Sequence, residues 1–190
     1  MRLHTLILTL GCATALACGG PPPDITPLAR AARVGDVRAI AALAAAGHDV
    51  NAFDAGGNHW TPLLHAIHKG QASAVEALLT AGADVHRASP GHLTPLLMAV
   101  GNGQPQIVRR LLAAGANPRE DGAGIFVTAV AGGALTDIEN PLLGRCNADV
   151  VRALLERDPT LRLPRSPRGH LALIFARVND CGDVAQMAKF

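Results

Sequence analysis

The chain has 190 residues, 49% of them hydrophobic, yet aromatics make up only 3% and Tyr is absent. The apolar mass is therefore mostly Ala, Leu and Val, which suits closely packed helices and speaks against a β-sandwich or barrel. A net charge of +2 is too small for a nucleic-acid footprint or a polybasic membrane surface.

The chain opens on an apolar stretch. Arg2 precedes residues 3–17, which carry no acid and end in Ala15-Leu16-Ala17 directly before Cys18. That run is too short to span a bilayer, which takes about 20 apolar residues, and has the length of an export-signal core. The stretch Ala15-Leu16-Ala17-Cys18 resembles a bacterial lipobox, with Ala15 where Leu is commoner. The expectation is a signal peptide over residues 1–17, a lipidated Cys18, and a Gly/Pro tether over residues 18–23. Gly19-Gly20-Pro21-Pro22-Pro23 fits neither a helix nor a central strand. Gly19 in place of an Asp favours the outer membrane by the same resemblance. The alternative is a soluble periplasmic or secreted protein with Cys18 free.

Behind the tether the sequence repeats. Thr26-Pro27-Leu28, Thr61-Pro62-Leu63 and Thr94-Pro95-Leu96 each lead to an Ala, then to Gly35, Gly70 or Gly103. An apolar segment of helical spacing follows, and Gly47, Gly82 or Gly115 closes each unit. Thr is a fair N-cap and Pro belongs in the first helical turn. Gly suits the points where a helix stops and the chain reverses. Each unit is thus a helix–turn–helix too small to bury its own apolar face, so the units must stack.

These motifs resemble the ankyrin-repeat family, whose units open on Thr-Pro-Leu-His and close on Gly-Ala-Asp-Val-Asn. The resemblance implies an all-α ankyrin-repeat solenoid of about four to five helix–turn–helix repeats over residues 24–190. The units are expected at about 24–52, 58–87, 91–119 and 122–163, with a cap at 168–190. The fourth copy is degenerate and carries an insertion near 134–146. Arg162, Arg165 and Arg168, interleaved with Pro164 and Pro167, read as a solvated loop.

Catalytic patterns are missing. Ser73, Ser89 and Ser166 are the only serines, none in a nucleophile elbow, and no Gly-rich phosphate loop occurs. The reading is therefore not an enzyme and carries no cofactor. It is a module in the bacterial envelope that binds another protein through its concave face, with an inhibitor or immunity role as a refinement. By the family pattern, Trp60 and Leu93 stand just before Thr-Pro, pointing at the concave groove. The expected binding face is Asn58, Trp60, His68, Lys69, Leu93 and Asn102.

The alternative from another class is a metal- or haem-handling protein supporting oxidative-stress defence. His59, His65, His68, His86 and His92 cluster around the second and third Thr-Pro pairs, and His65 and His68 share one helix face. Leu64 and His65 are exchanged relative to the family's opening, where a His bonds to backbone. Asp137 and Glu139 in the insertion lack the oxygen series of a calcium loop.

An exported chain meets an oxidising compartment. With Cys12 in the leader and Cys18 lipidated, Cys146 and Cys181 remain, and they fall at nearly the same place in consecutive repeats. A disulfide between them is expected. Helices pack about 8–10 Å apart and a disulfide needs Cα atoms within about 7 Å, so the insertion is expected to supply the difference.

Overall fold

The hydroxyls of Thr26, Thr61 and Thr94 accept the backbone N–H of Ala29, Leu64 and Leu97, and each threonine is followed by Pro in the first helical turn. In this computed structural model, which describes residues 25–56, 58–120, 122–132 and 147–190, these caps start three short inner helices. They are α1 (Pro27–Val34), α3 (Pro62–His68) and α5 (Pro95–Gly101). Each turns back through a glycine into an outer helix: α2 (Val37–Ala45), α4 (Ala72–Thr80) and α6 (Pro105–Ala113). Gly35, Gly70 and Gly103 all hold positive φ at those turns, a conformation that glycine adopts without strain. Two further pairs follow, α7 (Gly124–Val130) with α8 (Ala148–Arg157), and α9 (Pro167–Val178) with α10 (Gly182–Met187). Among the described residues every element is a helix.

The pairs stack in chain order. Inner helices form one layer, in which α1 packs on α3, α3 on α5, α5 on α7 and α7 on α9. Outer helices α2, α4, α6, α8 and α10 form the second layer in the same order. A single apolar cluster runs between the layers from Leu28 to Val184, through Leu64, Ile67, Leu96, Leu111, Phe126 and Leu154. Inner helices can approach closely because Ala32, Ala66 and Ala99 are fully buried small residues facing the stack. The fold is the all-α solenoid expected from the repeats.

Two departures have physical reasons. The basic stretch before the last pair is not simply a solvated loop. Ser166 caps α9, its hydroxyl accepting from the Gly169 N–H, and Pro167 fills the first turn, so Arg168 is helical. Leu161 and Leu163, on either side of Arg162, are buried in the core. Ser-Pro here replaces the Thr-Pro of the earlier repeats, so the Thr-Pro pattern does not reveal it. In the fourth pair, α7 starts at Gly124 without Pro and without a side-chain cap. Its buried residues Ile125, Phe126 and Val127 hold it instead, which is why its repeat reads as degenerate. The expected insertion near 134–146 lies outside the described residues, as do the leader and tether.

Candidate functional site

The tips that precede α3 and α5 are closed by paired backbone bonds. The Asp54 N–H donates to the Trp60 carbonyl at 3.0 Å, and the Ser89 N–H to the Leu93 carbonyl at 3.1 Å. Side chains complete each tip: the Trp60 N–H donates to Asp54 Oδ1 at 3.1 Å and the Leu93 N–H to Ser89 Oγ at 3.4 Å. His59 and His92, just ahead of Trp60 and Leu93, hold positive φ of 47° and 61°. That left-handed backbone is uncommon outside glycine but enriched at His. The strained residue turns the chain so that the next side chain, Trp60 or Leu93, is laid onto the stack.

Trp60 is half-buried. Its ring meets His65 edge-on at 5.4 Å between centroids and lies tilted against His68 at 5.0 Å. His65 is in turn fixed by Asp54. The His65 Nε2 bonds to Asp54 Oδ2, and both residues are buried, 6% and 3% exposed. The Asp54 carboxylate therefore serves two groups at once, the Trp60 backbone and the His65 ring. His59 Nδ1 also lies 3.2 Å from the Asp54 carbonyl oxygen. Trp60 is thus held by backbone, by ring contacts and by the carboxylate beneath it.

Beside it the surface dips into a hollow of about 110 Å³, lined by Trp60, His68, Leu93, Leu97, Met98, Gly101 and Asn102. The hollow sits where the second and third repeats meet. Small-molecule sites are commonly about 300–1,000 Å³, so this one has room for a single side chain. Its floor is apolar, from Leu93, Leu97 and Met98, and its rim is polar, from His68 and Asn102. A half-buried aromatic beside an apolar dip is the arrangement on which binding energy concentrates in protein interfaces.

Four of the six expected binding residues, Trp60, His68, Leu93 and Asn102, meet at this hollow. Asn58 and Lys69 are exposed nearby but do not line it. Sequence reasoning passed over Leu97, Met98 and Gly101, which come from the inner face of α5, and Asp54, which underpins the tip. Repeat register does not reveal Asp54, because it stands further ahead of Trp60 than Ser89 does of Leu93 and alone also holds a histidine.

The other expected sites fall elsewhere. His65 is engaged by Asp54 and His86 by Glu120 at 3.1 Å. Among the described residues no three His, Cys, Asp or Glu side chains converge as a metal site would need. Asp137, Glu139, Cys18 and Cys146 lie outside the described residues. Cys181 is the N-cap residue of α10 and is buried. Among the described residues no helix is long and apolar enough to cross a membrane.

A family model described as ankyrin repeats, in three copies, matches residues 3–89 and 28–121. The first match starts ahead of the described residues. No curated protein matches the chain.

Proposed function

The chain belongs to the ankyrin-repeat family, and we propose that it is an envelope module that grips one partner protein through the face centred on Trp60 and Leu93. Repeats of this family are protein-interaction modules, and stacked inner helices with their tips make an extended surface for that purpose. The observation that carries the reading is the hollow beside the braced Trp60, sized for one side chain of a partner. An inhibitor or immunity role, with a toxic envelope enzyme as partner, is the refinement we favour. A rigid tip costs little ordering entropy on binding, which suits tight inhibition.

The test is capture from a bacterial envelope fraction with wild-type and Trp60→Ala protein. Truncating Trp60 is expected to weaken the partner complex by about tenfold or more. Because Trp60 also packs on the core, a stability loss of about 1–2 kcal/mol should accompany it. A folded variant that recovers the same partner with unchanged affinity overturns the assignment of this face.

For location, we propose export with lipidation at Cys18, and pairing of Cys181 with Cys146. Support comes from the apolar leader, from Ala15-Leu16-Ala17 before Cys18, and from the Gly/Pro spacer. A full-length Cys18→Ser variant expressed in bacteria should move from the membrane to the soluble periplasmic fraction. Its mature form should show no free thiol under denaturing, non-reducing conditions. Wild-type protein that is already soluble sinks the anchor, and two free thiols sink the pairing.

A further inference from the structure

Charge on the inner helices is one-sided. None of α1, α3, α5 or α7 contains Asp or Glu. Carboxylates stand instead on the outer helices, at Glu76, Asp149, Glu156 and Asp183. Bases do occur on the inner side, at its start and again at its far end, where α9 carries Arg168, His170 and Arg177. Helix α1 carries Arg30 and Arg33, α3 carries His65 and His68, and Lys69 caps α3. Helices α5 and α7 carry neither sign of charge.

Register makes this distribution specific. Arg33, His68 and Gly101 stand equally far behind the capping threonines Thr26, Thr61 and Thr94. Lys69 and Asn102 hold the next place in their own repeats. In the hollow between the second and third repeats these two places are filled by His68, Gly101 and Asn102, with Trp60 and Leu93 at the tips. One repeat earlier the same places hold Arg33, His68 and Lys69, with Trp60 at the tip on the far side. Trp60 therefore stands between an apolar hollow on one side and a cationic position on the other. Arg33 and Lys69 are exposed, and neither makes an ion pair with another described residue.

We infer that the partner docks an acidic, extended segment across Trp60, with an apolar side chain in the hollow and a carboxylate about three residues away at Arg33 and Lys69. The inference rests on the protein-binding reading above and names the chemistry of that partner. The spacing follows from geometry. Consecutive inner helices lie about 8–10 Å apart, and an extended chain covers about 3.3–3.6 Å per residue. One repeat is thus about three residues of an extended partner. The apolar side chain supplies burial, and the carboxylate supplies register and a fast approach. A basic segment would meet only repulsion along α1 and α3, so the face discriminates between partners by charge as well as by fit.

The experiment selects a random library of short linear peptides displayed on phage against the folded full-length protein. Enriched sequences should pair Asp or Glu with Leu, Ile, Met or Phe about three positions apart. Trp60 is the only Trp in the chain, so binding should be visible as a shift in intrinsic emission. Raised salt should weaken binding. The surface variant Arg33→Glu with Lys69→Glu should weaken it by about tenfold while the thermal melt is retained. Enriched peptides without acid, or peptides held equally well by that variant, overturn the acidic partner and leave docking at Trp60 standing. Acidic peptides that bind Trp60→Ala as tightly as wild type overturn the docking face itself. Failure to enrich any peptide overturns the extended-segment mode.

Discussion

At the scale of the residue, the site is decided by Asp54. Burying a carboxylate is costly unless its oxygens are used, and here both are: one by the Trp60 N–H, the other by His65. Removing Asp54 would strand a buried imidazole and a backbone N–H together. Each buried polar group left without its partner costs about 1–3 kcal/mol. Asp54→Ala is accordingly expected to lose about 3 kcal/mol in urea unfolding followed by Trp60 emission. Asp54→Asn, which keeps an acceptor for the Trp60 N–H, should lose less. An alanine variant as stable as wild type would show that the carboxylate does not hold the tip. His65 was readable in the sequence as a structural histidine out of its usual place. Its partner was not, because Asp54 lies across a tip whose closure depends on the strained His59.

At the scale of the element, the turn glycines divide into two kinds. Gly47, Gly82 and Gly115, behind the outer helices, have positive φ and open space where a Cβ would stand. Gly35 and Gly103, between the helices of a pair, have positive φ and a neighbour as well. A Cβ on Gly103 would collide with Asn147 Nδ2, and one on Gly35 would lie 2.6 Å from Gln71 Oε1. In each case the polar residue that starts the next outer helix leans across the previous turn. Gly47→Ala should therefore cost about 1 kcal/mol, from backbone strain alone. Gly103→Ala should cost more, by about 1 kcal/mol or above, because Asn147 must also move. Equal losses in parallel thermal melts would remove the lateral contact from the account.

That ladder also bears on the proposed cysteine pair. Each leaning residue occupies the N-cap of its outer helix: Gln71, Gln104 and Asn147. It reaches the residue just ahead of the N-cap in the preceding repeat. Cys181 is the N-cap residue of α10, and the residue ahead of Asn147 is Cys146. The pairing proposed above would repeat that reach by one step, and Cys146 itself lies outside the described residues. Sequence alignment put both cysteines in neighbouring slots.

At the scale of the whole molecule, successive repeats are tied at their tips as well as through the core. Asn51 Oδ1 accepts the Asp84 N–H at 2.8 Å, His86 meets Glu120 at 3.1 Å, and Arg119 Nε donates to Asp158 at 2.6 Å. The last of these joins the third repeat to the fourth, and Arg119 also donates to Thr160 at 2.7 Å. Hydrogen bonds from Arg119, and then from Thr160, hold the Asp158 carboxyl well below the usual carboxylate range. A depressed carboxyl stabilises the folded state above its ordinary range, and that contribution is lost as pH falls. Thermal stability should therefore drop on acidification below about pH 4. Arg119→Ala should lower the melt at neutral pH and flatten some of that acid limb. The tie is exposed and screened by salt, so raised salt should partly mimic the variant. An acid limb identical in the two proteins would exclude Asp158 as its source.

The sequence by itself determined the repeat, because each unit's instructions are local. Threonine caps, Pro in the first turn, Gly at reversals and apolar residues at helical spacing act within a few residues of one another. They were missed only where the last repeat replaces Thr-Pro with Ser166-Pro167, a cap of the same kind in a different residue. It also placed Trp60, His68, Leu93 and Asn102 on one face, because a regular stack turns repeat register into position. Only the tertiary structure decided what those residues do together. The hollow needs Leu97, Met98 and Gly101 from the adjacent repeat, and the bracing of Trp60 needs Asp54 brought under His65. Those contacts depend on how closely two helix pairs approach and on how a tip closes. Neither distance is encoded in a residue's neighbours along the chain, so both emerged only once the stack was formed.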